Sequence, residues 1–442
     1  MEERTLGNLR NIPVVHSRAL VDNETANMVK QFILQYANIH GLPSPLRLRD
    51  DSEPITYLPT EKTYTSIYYE YRNHISSVFN QPENIIKYGT FQNLWHQLTP
   101  NVKFQSAASD LCDICESFKQ SLKSADNDDE KENIKFDFSQ HHDAAELERQ
   151  HYNKILEKSK NDLSVTHICY DWAQSLTAPY SPRQVGSIYF KTPFITHLFG
   201  VCKTGEINQQ LNYIIGEDEF PKGVSKGANT TLNMVFHFLQ EIGHVNKKDL
   251  HVTCDNCSGQ NKNNLSLWFW TWITMLGWYE NIYLHFMIPG HTKFICDSFF
   301  GLIKKTYRGR RINIVEDIAR AVEESSQYNK AIIVNNSLGW RWYDYNSLFK
   351  NHFRSLKYIK KYHHFHFSSL ENDIGKVYVS EKSGGSEIPF NLLKNNNFDK
   401  NAQLDILEVA PLTNERKMYL YTKIRQHVDD PFKNTLCPEP NV

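Results

Sequence analysis

Asp171, Asp255 and Asp297 are the residues of this chain best suited to hold metal ions together. Each lies at or near the end of a segment that reads as core secondary structure. The clearest setting is Cys254-Asp255-Asn256-Cys257-Ser258-Gly259-Gln260-Asn261-Lys262-Asn263-Asn264, directly after the strand-like Leu250-His251-Val252-Thr253. A carboxylate that leaves a buried strand into a polar, glycine-containing loop is poorly suited to packing. It is well suited to a cation. The chemistry that needs such a set is phosphoryl transfer, which requires an activated water or 3′-hydroxyl and charge stabilisation on the leaving oxygen. Two Mg2+ or Mn2+ ions about 4 Å apart provide both when carboxylates hold them. Mg2+ prefers hard oxygen ligands and keeps several waters, so a few aspartates suffice. In that scheme Asp171 bridges both ions, while Asp255 and Asp297 bind one each. The competing reading is that these are three ordinary members of a set of fifty Asp and Glu, with Asp297 simply capping a helix.

Polar and basic residues surround these positions. Gln260, Asn261 and Lys262 follow Asp255 and suit contacts to bases, sugars or phosphate; they equally suit capping of the next helix. The loop Pro289-Gly290-His291-Thr292-Lys293 precedes Asp297. There His291 and Lys293 suit a phosphate or a metal-bound water, or His291 only orients the loop. Lys304, Lys305, Arg308, Arg310 and Arg311 extend the segment carrying Asp297. Phe349 to Phe367 interleaves Lys350, Arg354, Lys357, Lys360 and Lys361 with His and aromatic residues. Positive charge beside a metal site suits a nucleic-acid strand, and Tyr or Phe can stack on exposed bases. Solvated surface is the plainer account of such charge runs.

The elements that must position these groups read as follows. Residues 1–105 read as mainly helical, with amphipathic stretches over Asn23 to Tyr36 and Thr65 to Phe79. A break follows the first at Gly41-Leu42-Pro43-Ser44-Pro45. A third helix starts near Tyr88 with Thr90 as its cap. Such a set suits a helix-turn-helix-like unit or a plain bundle. Residues 106–160 carry Cys112-Asp113-Ile114-Cys115, an acidic linker from Ser124 to Glu132 expected to be solvated and mobile, and a charged helix from His141 to Lys160. From residue 161 the pattern changes. Ser164–Tyr170, Ile195–Cys202 and Gln210–Ile215 read as strands, the last two joined by a hairpin turn at Lys203-Thr204-Gly205-Glu206. Lys226–Ile242 reads as a helix, Leu250–Thr253 as a strand, and Asn263–Tyr279 as a buried aromatic helix. Asn281–Met287 is a strand and Cys296–Tyr307 a helix. The order β-β-β-α-β-α-β-α is that of the ribonuclease H-like α/β fold, with a mixed sheet. In that order Asp171 and Asp255 follow adjacent strands. This core spans 161–367, and residues 368–442 read as a small β-containing appendix.

Bulk properties limit the classes. At 442 residues the chain has room for two or three domains. With 40% hydrophobic residues it can bury a sizeable core, and a net charge of −1 leaves only local basic patches for nucleic acid. No apolar run reaches about 18 residues, so no membrane span is expected. Met1-Glu2-Glu3-Arg4-Thr5 has no apolar signal core, which points to an intracellular protein. Eight cysteines in a chain of this length do not make a disulfide scaffold. Cys112 and Cys115 have the spacing of a zinc half-site. His141, His142 and His151 on the following helix are the natural remaining ligands, and two ordinary thiols are the other reading. Cys254 and Cys257 share the spacing but flank Asp255, where packing is the better account.

The segment Asp255-Asn256-Cys257-Ser258-Gly259-Gln260-Asn261-Lys262-Asn263, the Pro289–Lys293 loop and the Leu111–Cys115 knuckle occur in an order that resembles a large eukaryotic family of transposon-derived proteins. The resemblance covers most of residues 30–360. That family is similar to transposases and integrases with a ribonuclease H-like core. The resemblance implies Mg2+-dependent DNA strand cleavage and transfer, catalytic acids at Asp171, Asp255 and Asp297, and zinc ligation by His141 or His142. Many transposases end the triad with Glu, where this chain has Asp297. The expectation is therefore a transposase-like nuclear protein that acts on DNA, with homo-oligomerisation in keeping with it. The alternatives are a non-catalytic DNA-binding derivative and a zinc-stabilised interaction scaffold.

Overall fold

The computed structural model describes residues 21–40, 42–43, 55–58, 62–79, 85–104, 111–205, 207–395 and 397–440. Gly41, Ser44 and Pro45 of the expected chain break, Glu206 of the hairpin turn and the N-terminal segment lie outside them. The chain divides into two compact units, Met1–His142 and Asp143–Val442.

In the first unit α1 (Asn23–His40), α2 (Tyr64–Phe79) and α3 (Tyr88–Leu98) share a core of Val29, Ile33, Ile67, Tyr71, Phe91 and Trp95. The α1 members recur at helical spacing, which is what an amphipathic face requires. Trp95 Nε1 donates to Val102 O at 3.0 Å and ties α3 to a short strand, Val102–Phe104. Lys87, not Thr90, is the N-cap of α3; Thr90 lies inside the helix. The acidic stretch expected as a mobile linker is also mostly helical. α4 (Asp113–Ser124) ends where the stretch begins, and α5 (Asp128–Asn161) starts after a gap of three residues. Asn127 Oδ1 accepts from Glu130 N at 2.8 Å. Asp128, Asp129 and Glu130 then occupy the first turn, where negative charge is favoured by the helix dipole. An acidic run that looks like a linker is a helix start.

The second unit is a mixed α/β body around a ten-stranded sheet. Its strands are β1 (Val165–Trp172), β2 (Phe194–Thr204), β3 (Gln209–Gly216), β4 (Asp249–Cys254), β5 (Asn281–Phe286), β6 (Asn329–Val334), β7 (His364–Ser368), β8 (Lys376–Ser380) and β9 (Ile388–Asn391). They lie in the order β6-β3-β2-β1-β4-β5-β7-β8-β9, and Leu176–Ala178 pairs with β2. β1, β2 and β3 pair antiparallel; β1, β4 and β5 pair parallel. The parallel pairs follow from the crossover helices α6 (Ala228–Ile242) and α7 (Asn264–Met275). α8 (Ile295–Arg308) and α9 (Val315–Ser325) then carry the chain back to β6, on the far side of β3. The stretch 368–442, expected as an appendix, supplies β8 and β9 to this sheet. Its Leu420, Ile424 and Val428 pack with Ile303 and Ile318 of α8 and α9. α7 is buried, as its aromatic content predicts: Trp268 Nε1 donates to Arg354 O at 2.8 Å and Trp272 Nε1 to Lys400 O at 2.7 Å. Among the described residues no helix is long and apolar enough to cross a membrane.

Strand alternation sorts the side chains. Ile168 and Tyr170 of β1 face the core formed with α6 and α7. Cys169 faces the other side, with Cys202 of β2, Tyr152 of α5 and Cys296 of α8. Asp171, two residues on, shares that second face. Its partner across the β1–β2 ladder is Gly200. A methyl group at Gly200 would lie 2.7 Å from the Phe300 ring and 2.7 Å from Gln210 Nε2. The bare glycine is what lets α8 lie close beside Asp171. Gly200→Ala is therefore expected to lower stability by about 1–3 kcal/mol, the usual cost of overpacking, and thermal melting of the variant checks it. A melting temperature equal to wild type would remove Gly200 from this role.

Candidate metal centre

Asp171 and Asp255 come together because β1 and β4 are parallel neighbours in register. Cys169 pairs with Thr253, which carries Asp171 and Asp255 to the same level. Asp171 is inside its strand rather than after it, since β1 runs to Trp172. The chain leaves β1 toward β2 and β3 on one side, and returns through β4 and β5 on the other. Asp171 and Asp255 thus lie at the carboxyl ends of the two strands where the sheet order reverses, the place where open α/β sheets bind ligands.

Asp297 reaches the same place from α8. Cys296 Sγ lies 3.4 Å from Cys169 Sγ and contacts Cys169 O at 3.3 Å. That packing fixes the first turn of α8 against β1, two residues before Asp171. The electrostatics agree: burial, then the charge of Asp255, push the Asp171 carboxyl up to about 7, with Asp297 adding to the effect. Lys226 opposes it. Asp171 thus carries its charge at a cost, in partial burial and beside two further acids.

Each carboxylate also has a local anchor. Asp171 Oδ1 accepts from Trp172 N at 2.7 Å. Asp255 Oδ1 accepts from Cys257 N at 3.1 Å and from Asn261 Nδ2. Asp297 Oδ2 accepts from Phe294 N at 3.0 Å, which closes a cap on α8. The capping role proposed for Asp297 is therefore real. It does not exclude a metal, because a carboxylate has about four lone-pair sites.

The surrounding polar set differs from expectation in several places. Lys262 is buried at 3% exposure. Its Nζ donates to Asn256 Oδ1 at 3.0 Å and Lys360 O at 3.3 Å, and burial pushes its pKa down to about 8. It holds the loop after β4 to the segment before β7. Asn261 is buried too and serves Asp255. Gln260 is half-buried, with Nε2 donating to Lys226 O at 3.3 Å. Arg310 pairs with Glu324, and Arg311 with Asp429 at 2.6 Å, so both are engaged by acids. Lys304 donates to Gln174 Oε1 at 2.7 Å. Lys293, Lys305 and Arg308 are exposed. His291 N donates to Ile288 O at 2.9 Å, and His291 O accepts from Arg149 at 3.1 Å. Arg149 of α5 also feels the charge of Asp297. Arg149 and Lys226 are the two cations beside the acids that sequence reasoning missed. Neither sits in a basic run, so only the fold marks them.

The cysteine knuckle lies in the first unit. Cys112 caps α4 and Cys115 is in its first turn. Phe118 stacks on Phe138 with ring centroids 5.5 Å apart, which pairs α4 with the start of α5. Cys112 Sγ then lies 3.3 Å from His141 Nε2. The donor atoms of Cys112, Cys115 and His141 all fall within 4.8 Å of one another. Two thiolate sulfurs and an imidazole suit zinc. His141 belongs to this group; His142 is not part of it, and His151 belongs to another in the second unit.

Residues 191–384 match the model of a domain family described as a domain of unknown function, DUF7869. The match takes in Asp255 and Asp297 and begins after Asp171. Comparison with curated proteins and with solved structures finds no match.

Proposed function

We propose that the second unit is a ribonuclease H-like catalytic core that cleaves and joins DNA strands with Mg2+ or Mn2+, in the manner of a transposase. The observation that carries this reading is the charge of Asp255 and Asp297 felt by Asp171 at the end of β1. Its support is the strand order β3-β2-β1-β4-β5 with only β2 antiparallel to the rest, which is the arrangement of that fold. The sequence resemblance points the same way.

In this reading Asp171, Asp255 and Asp297 would hold the ions. When bound, the ions activate the attacking oxygen and neutralise charge on the leaving one. The chain does the rest. The Cys257 and Asn261 bonds fix the orientation of Asp255. The Phe294 bond fixes that of Asp297. Lys226 and Arg149 place positive charge beside the acids, where a phosphodiester approaches. Exposed Lys293, Lys305 and Arg308 extend that charge along α8 and the loop before it. Zinc at Cys112, Cys115 and His141 is assigned a structural part in the first unit.

The test is a plasmid-nicking and strand-joining assay with purified full-length protein and Mg2+ or Mn2+. Metal-dependent nicking is expected. Binding of DNA with no cleavage or joining under any divalent metal would leave the non-catalytic reading in its place.

A further inference from the structure

A second metal-ligating cluster sits on the same face of the sheet, away from the carboxylates. β5 and β7 pair antiparallel with His285 opposite His364. α5 crosses this face and brings His151 to them. His285 Nδ1 lies 3.0 Å from His364 Nδ1 and 3.2 Å from His151 Nε2. All three donor nitrogens fall within 4.8 Å of one another. Nitrogens bound tetrahedrally to zinc at 2.0–2.1 Å are separated by about 3.3 Å. The two short edges of this triangle are close to that spacing.

The groups behind the triangle orient it. Glu148, buried at 4% exposure, lies one helical turn before His151 on α5. Its carboxylate takes His364 Nε2 at 2.9 Å and Ser383 N at 3.0 Å. A proton on His364 Nε2, held by that carboxylate, leaves Nδ1 as a lone pair aimed at His285. On the other side of His285, Nε2 lies 3.0 Å from His251 Nδ1. A hydrogen-bonding group behind a ligating imidazole is the usual support of a histidine metal site, and His364 and His285 each have one. Proton counting makes the same point. His285 Nδ1 faces two nitrogens, and one proton there serves one of them. A cation in the centre serves all three.

We propose that His151, His285 and His364 bind a zinc ion, with Glu148 and His251 as the groups that orient His364 and His285. Three neutral imidazoles select zinc over Mg2+, which takes oxygen ligands. The ion fastens the second half of α5 to β5 and β7, and three protein ligands leave a fourth position for water or another donor. The site is independent of the carboxylate reading. It shares no residue with Asp171, Asp255 or Asp297.

The experiment uses full-length protein with Cys112→Ser and Cys115→Ser, which removes zinc held by the knuckle. Elemental analysis of this protein is expected to find about one zinc per chain, the normal load of such a site. Adding His151→Gln, at a half-buried position, is expected to lower zinc occupancy at least tenfold under mild chelation. A His151→Cys version loaded with Co2+ is expected to show a thiolate-to-cobalt charge-transfer band that the parent lacks. A structural role for His151 alone would not produce that band. No zinc in the knuckle-deleted protein, an unchanged load in His151→Gln, or a folded His151→Cys protein with no band would each overturn the proposal. If His151→Gln does not fold, the zinc content of the knuckle-deleted parent decides.

Discussion

Asp255→Asn is expected to abolish metal-dependent DNA cleavage, with a fall on the order of 10³-fold, the scale of losing a principal electrostatic stabiliser. The substitution keeps size and shape. Asn Oδ1 still accepts from Cys257 N, as Asp255 Oδ1 does at 3.1 Å. The loop after β4 therefore keeps its conformation, and only the negative charge is lost. Lys226, Lys293, Lys305 and Arg308 are untouched, so DNA affinity is expected to stay within about twofold of wild type; interactions with phosphate do not require the acid. Initial cleavage rates and fluorescence titration with labelled DNA separate the two effects. Cleavage by Asp255→Asn at the wild-type rate would place the catalytic site elsewhere.

The second large effect is on stability. Burial and the neighbouring acids push Asp171 up to about 7, above the ordinary carboxyl value of 3.8. The folded state therefore binds this proton more tightly than the unfolded chain does. Stability from this group is greatest below the unfolded value and declines as pH rises from about 4 to about 7, then levels off. At pH 8 without divalent metal the penalty is roughly 4 kcal/mol. Asp171→Asn removes the charge and keeps an oxygen for Trp172 N. Its melting temperature at pH 8 is expected to exceed wild type by about 5 °C, with a smaller gap at pH 5. Mg2+ is expected to raise wild type more than the variant, since a bound cation relieves the same repulsion. Equal melting temperatures at both pH values would show that the three acids do not repel one another.

The five strands from β1 to β5 and the helices between them were legible because their apolar runs are long and separated by turn residues. Asp171 and Asp255 could be placed from that order alone. Asp297 could be placed on its helix, but the contact that seats it, Cys296 on Cys169, joins residues 127 apart. For Lys262, sequence alone does not separate an exposed lysine from one whose amine ends on Asn256 Oδ1 and Lys360 O. Arg310 and Arg311 looked like a ligand-facing run, and only the fold supplies Glu324 and Asp429. The histidine cluster had a faint signal. His364-Phe365-His366 alternates as a strand, and Phe365 is buried while His364 turns toward Glu148. A histidine at an inward strand position is a ligand candidate only once its neighbours are known, and His151, His285 and His364 lie on three separate elements.

The most direct measurement of the carboxylate site needs no DNA. Mn2+ binding to the full-length protein, followed by the loss of the free-ion electron paramagnetic resonance signal, reports the site itself. Saturable binding is expected in wild type, weakened in each of Asp171→Asn, Asp255→Asn and Asp297→Asn. Mn2+ binding equal to wild type in all three variants would contradict a shared metal site at these aspartates.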